Sequence, residues 1–137
     1  VTVRHYGPIT YTATPVTVSR RAIPYVWGSS FVDVTSSFSF SASGTDLTVM
    51  PNSGMFDVNY EYRIEPTSAL KSVGVSGEPQ VENYTYDFKL FEVYDLSQNG
   101  MVDTPDIAEW VNEPVDFNHD EVADSTDLRM LVNEIGN

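Results

Sequence analysis

The chain reads as mainly β: a β-sandwich followed by a small α-helical pair of loop–helix units. Three observations carry this reading. Residues 1–94 hold short runs of alternating apolar and polar residues, separated by Gly, Pro, Asn and Ser punctuation. Residues 95–137 change to an apolar period of three to four. Each helical stripe there follows an oxygen-rich stretch, one beginning at Asp95 and the other at Asp116.

Taken in order, Val1–Tyr6, Ile9–Ala13 and Val16–Ser19 are short strand candidates with weak alternation. Val32-Asp33-Val34 alternates and is expected to continue through Phe38–Ala42 as one strand. Leu47–Met50 is a further weak candidate. Phe56–Ile64 is the clearest strand, apolar at every even position and polar between. Leu70–Val75 is weak again. Tyr84–Leu90 alternates cleanly, and then the phase slips, because Phe91 and Val93 fall on odd positions. A bulge is expected there. Tyr60, Tyr62, Tyr84 and Tyr86 share the apolar phase of their strands and are expected in the core. Short alternating strands between frequent turns indicate a sandwich, and 94 residues suffice for one small core. Leu90–Tyr94 runs into Asp95 with no linker. The expected division is therefore 1–94 and 95–137, packed as one body.

Two helices are predicted. Ile107, Trp110 and Val111 form the first apolar stripe; Leu128, Leu131, Val132 and Ile135 form the second. Thr104 is the expected cap of the first, with Pro105 at its first position and Pro114 ending it. Ser125 or Thr126 is the expected cap of the second, with Gly136 at its C-terminal turn. Helices this short are not stable alone, so the two are expected to pack on each other.

The stretches before them carry the chemistry. Asp95, Ser97, Asn99, Asp103 and Asp106 stand at positions 1, 3, 5, 9 and 12 of a twelve-residue loop. Asp116, Asn118, Asp120, Asp124 and Asp127 repeat the spacing. Calcium takes six to eight oxygen ligands, and this is the EF-hand pattern, with Asp at position 12 in place of the usual Glu. The prediction is a small α-helical calcium-binding loop–helix pair holding one or two calcium ions. Glu121 occupies position 6 of the second loop, where EF-hands need Gly for a sharp turn. A non-Gly residue in a left-handed conformation costs about 1–2 kcal/mol.

Tandem loop–helix units with Asp at position 12 and no leading helix resemble dockerin type I modules. The resemblance covers residues 95–137. It implies a secreted protein and a calcium module that docks onto cohesin domains. Carried over by position, it adds the backbone carbonyls of Met101 and Val122 to the two ligand sets. It also places Ser125-Thr126 where many dockerins carry a cohesin-contacting Ser-Thr pair; helix capping is the alternative role for that pair. This chain departs from the pattern in three ways. Its loops begin only 21 residues apart, the first loop has Thr104-Pro105 at the equivalent place, and Glu121 replaces glycine.

Charge follows the same division. The formal net charge is −13 over 137 residues. Residues 95–137 hold seven Asp, four Glu and one Arg, a net of −10. Such a chain is not expected to bind nucleic acid. No apolar run is long enough for a membrane span, and there is no cysteine. The chain begins at Val1 rather than Met, as a mature protein cut from a signal peptide would, or a fragment. Calcium is plentiful outside cells, so a secreted, extracellular or cell-surface location is expected.

No catalytic constellation stands out, and the chain is not expected to be an enzyme. His5 is expected at a surface or sheet edge, and His119 is expected to point out of its loop. Asp57 and Glu61 are expected on the solvated face of a strand. Asn83-Tyr84-Thr85 is a glycosylation sequon inside an expected strand. Trp27 and other exposed aromatics would supply the stacking surface for a carbohydrate. The function expected is a non-catalytic, calcium-stabilised structural or cell-surface assembly protein. Its partners would be copies of itself or a surface scaffold, and Val1-Thr2-Val3 is a candidate strand for a neighbour's sheet. The alternative is a carbohydrate-binding or accessory module docked to a cohesin-like scaffold.

Overall fold

A computed structural model describes residues 1–23, 29–73 and 79–135. Trp27, Gly136 and the last two residues of the Leu70–Val75 candidate lie outside them. The elements are β1 (Thr2–Arg4), β2 (Ile9–Thr10), β3 (Val16–Ala22), β4 (Val32–Asp33), β5 (Phe38–Ser43), β6 (Asp46–Pro51), β7 (Tyr60–Pro66), β8 (Lys71–Val73), β9 (Pro79–Val81) and β10 (Tyr86–Leu90). α1 (Thr104–Asn112) and α2 (Ser125–Glu134) follow. The chain is mainly β, as predicted.

The described strands form three antiparallel sheets, in the orders β1-β6-β5, β10-β7-β3-β4 and β2-β8-β9. Their inward residues meet in one core. Val16 and Val18 of β3, Tyr62 and Ile64 of β7, Leu47 and Val49 of β6 and Ile9 of β2 are all buried in it. Full burial of such a side chain stabilises by roughly 1.5–3 kcal/mol, an upper estimate because unfolded chains are themselves partly compact. Phe38, Phe56 and Phe88 surround Tyr62, with Phe88 stacked on it at 5.5 Å between ring centres and Phe56 edge-on at 5.1 Å.

Several strand limits differ from the sequence reading, each for a local reason. The Phe56–Ile64 strand begins only at Tyr60. Asn59 has a φ of 63°, which breaks the extended run, and the Asp57 N–H donates to the Tyr62 hydroxyl at 3.1 Å. Val32–Val34 and Phe38–Ala42 are not one strand, because a 3-10 turn over Thr35–Ser37 separates them. The Asp33 carboxylate accepts both the N–H and the hydroxyl of Thr35, at 2.8 and 2.6 Å. Such local bonds compete with a sheet ladder. β10 ends at Leu90, and the chain turns through Glu92, whose carbonyl accepts the Asp95 N–H at 3.0 Å. The phase slip at Phe91 marks that turn rather than a bulge.

Tyr86 is 43% exposed and lies outside the core, unlike Tyr62. β9 was not legible in the sequence at all. β1 pairs with β6 of its own sheet, and the Val1 amino group donates to the Val49 carbonyl at 3.0 Å. The N-terminal strand thus has a partner within the chain.

The outer face of the β7 sheet is charged but not simply solvated. Arg63 makes two hydrogen bonds to Asp87, at 2.9 and 3.0 Å. Glu61 is buried and accepts from Arg21 at 2.8 Å. The Arg21 and Arg63 guanidinium groups lie against the Phe31 ring. Asp57 precedes the strand and pairs with Arg20.

α1 and α2 pack around Trp110, Phe117 and Leu131, with Tyr94 against Phe117 at 4.7 Å. Among the described residues this second core shares none with the first. Val111 and Val132 were expected on the buried stripes, yet they are 65% and 47% exposed. Two short helices cover only a narrow strip of each other. No helix among the described residues is long and apolar enough to cross a membrane.

Candidate metal centre

The two loops share one hydrogen-bond network at positions 1, 5 and 12. At position 1, the Asp95 carboxylate accepts the N–H groups of Asn99 and Gly100, at 3.2 and 2.9 Å. Asp116 accepts those of Asp120 and Glu121, at 3.2 and 2.7 Å. At position 12, Asp106 accepts the N–H groups of Ser97 and Asp103, at 2.8 and 2.7 Å. Asp127 accepts those of Asn118 and Asp124, at 3.1 and 2.8 Å, and that of Phe117 at 2.8 Å. At position 5, the side-chain oxygens of Asn99 and Asp120 accept the N–H groups of Met101 and Val122.

Backbone dihedrals repeat as well. Position 4 is left-handed in both loops, at Gln98 (φ 57°) and His119 (φ 61°). So is position 6, at Gly100 (φ 90°) and Glu121 (φ 72°). The strained residue predicted at Glu121 is therefore real. Position 4 carries little sequence signal, because Gln98 is not a residue type favoured in the left-handed region and His119 is only modestly so. His119 is exposed.

The caps correct the sequence reading. Asp103, not Thr104, caps α1, which puts Pro105 second in the helix. Asp124, not Ser125 or Thr126, caps α2, and its carboxylate accepts the Thr126 N–H at 2.8 Å. Each cap forms a reciprocal box with the position-12 Asp, which is the third helical residue. Asp103, Asp106, Asp124 and Asp127 thus have a capping role that needs no metal. The backbone donors hold the Asp127 carboxyl below the usual carboxylate range, the Asp124 N–H most of all.

Asp95 and Asp106 are buried in the first loop, Asp127 in the second, while Asp116 is half-buried and Asp120 and Asp124 are exposed. In the first loop the Asn99 amide also donates to both oxygens of Asp103, at 3.2 Å each. Among the described residues no three His, Cys, Asp or Glu side chains converge as a ready cation cage. A carboxylate has about four acceptor sites, however, and the two accepted N–H groups of Asp106 or Asp116 leave oxygen lone pairs over. The full set also counts the Ser97, Asn99 and Asn118 oxygens and the Met101 and Val122 carbonyls. In chemical type it suits a hard cation.

His5 is buried, against the expected surface position. Its Nδ1 lies 3.2 Å from the Thr45 carbonyl and its Nε2 lies 3.0 Å from the Tyr84 hydroxyl. A carbonyl only accepts, so Nδ1 carries the proton and Nε2 of the neutral ring accepts from Tyr84. Asn83 is exposed in the irregular stretch before β10, not in a strand. No model of a known protein family matches this chain, and no curated protein or solved structure matches it either.

Proposed function

We propose that the chain is a non-catalytic, calcium-stabilised extracellular assembly protein, in which residues 95–137 form a dockerin-like calcium module beside a β body. The observation carrying this reading is the repeated loop network. The same hydrogen bonds and the same two left-handed positions recur 21 residues apart. Bound calcium would be held by the oxygens of each loop and would offset part of its negative charge. The partner proposed is a protein: a surface scaffold or copies of this chain.

One observation favours docking to a scaffold. Ser125 and Thr126 are exposed, Asp124 has taken the cap, and among the described residues neither hydroxyl has a partner, so both are open to a docking protein. Strand donation by β1 loses support, because β1 is paired within its own sheet.

Calorimetry with calcium, followed by size measurement with and without EDTA, tests this. One or two ions should bind, and Asp95→Ala and Asp116→Ala should each weaken one site. Absence of binding at millimolar calcium would remove the calcium reading. A particle that enlarges in calcium would favour copies of this chain as the partner. A constant monomer would favour a separate scaffold.

A further inference from the structure

A cleft of about 440 Å³ opens between β3, the Thr35–Ser37 turn, the end of β6 and the segment before β7. That volume is within the range of about 300–1,000 Å³ usual for small-molecule sites. The rings of Phe38 and Tyr62, both buried, lie at its floor. At one end Arg20 donates to Asp57 at 2.5 Å and to the Tyr62 hydroxyl at 3.3 Å. Its guanidinium also lies 4.0 Å above the Tyr60 ring, so the group is held in place before any ligand arrives.

The pair is only half used. Asp57 is 65% exposed, and its Oδ1 makes no hydrogen bond among the described residues. Among the described residues Arg20 bonds through Nη1 alone, which leaves Nε and Nη2 as donors. Among the described residues no other side chain lining the cleft is charged, and the charges of Arg20 and Asp57 cancel. Met55, 77% exposed, forms an apolar lip. Fixed donors and an acceptor side by side, beside two aromatic rings and with no net charge, suit neighbouring hydroxyl groups on a neutral ring.

We propose that this cleft binds a neutral sugar unit, with Asp57 accepting from one hydroxyl and Arg20 donating to the oxygen of the next. The inference is independent of the calcium reading and uses no residue beyond Tyr62. The test is an NMR titration of the full chain in calcium with D-glucose, D-galactose and D-xylose, and with glucuronate as the charged comparison. Saturable shifts at Arg20, Ser37 and Asp57 are expected with at least one neutral sugar. Asp57→Asn should weaken that binding at least tenfold. Ser37→Trp, at an exposed position on the turn, should block it by filling the cleft. Circular dichroism would establish that both variants fold. No saturable shift up to tens of millimolar sugar would overturn the proposal, and so would undiminished binding to the Asp57→Asn protein. Binding of glucuronate alone would equally overturn it, showing an anion site at Arg20.

Discussion

Tyr84 ties the stretch before β10 to the N-terminal segment through His5. Burial, and secondarily the charge of Glu82, push the Tyr84 hydroxyl up to about 12. The folded state therefore favours the neutral phenol. Its stabilising effect is complete below the unfolded value of about 10 and is lost as pH rises from there towards the folded value. Unfolding midpoints should fall in that alkaline window, and Tyr84→Phe should flatten the fall. Asp87 behaves in the opposite sense. Hydrogen bonds from Arg63 hold its carboxyl below the usual range. Its contribution is present above the unfolded value near 4 and fades as pH drops through the lower folded value. Because the pair is about one-third exposed, Asp87→Asn should cost only about 0–1 kcal/mol at neutral pH. Gly7 is the sharper constraint. A Cβ there would lie 1.9 Å from the Val73 carbonyl oxygen, a backbone atom that cannot swing aside. Gly7→Ala should destabilise by roughly 1–3 kcal/mol in denaturant unfolding, the range for forced overpacking.

Among the elements, the second loop holds a left-handed Glu121 where the first has Gly100. Glu121→Gly should relieve about 1–2 kcal/mol of strain, set against up to about 1 kcal/mol of added chain entropy in the unfolded state. The net expectation is a small rise in melting temperature with calcium present and tighter binding at the second site. A fall in both would mean that the Glu121 side chain has a role of its own. That strain was legible because the twelve-residue spacing fixes which position must turn left. The helices were legible because their apolar period is set by 3.6 residues per turn. Their caps were misread, since Ser and Thr beside an Asp look equally good until the reciprocal bonds are seen. Alternation likewise found β7 and β10 but overran their starts. Apolar residues such as Phe56 can alternate through an irregular segment and still pack on the core. The Arg20–Asp57 cleft left no pattern, because its walls come from segments far apart in sequence.

At the scale of the molecule, the two hydrophobic cores share no residue among those described, and the chain from Leu90 to Tyr94 joins them. The link is supported at Asn59, whose N–H donates to the Leu90 carbonyl at 2.6 Å and whose side chain donates to Glu92 at 3.3 Å. The helical part also carries most of the negative charge, a net of −10 over residues 95–137. Self-repulsion of this kind loosens a compact state and is relieved by any counter-ion within screening distance. Specific binding adds a term that screening cannot supply. A ligand bound only by the folded state stabilises it by about 2.7 kcal/mol at a hundred times its dissociation constant. Hydrogen exchange separates the two effects. In EDTA, amide exchange should accelerate across Tyr94–Ile135, while Val18, Tyr62 and Ile64 in the β core keep their protection. Sodium chloride in place of calcium should restore that protection only in part. Full restoration by sodium chloride would show that the loops need charge screening rather than a bound cation. Acceleration of β10 together with the helices would show that the Asn59 link makes one cooperative body of the two cores.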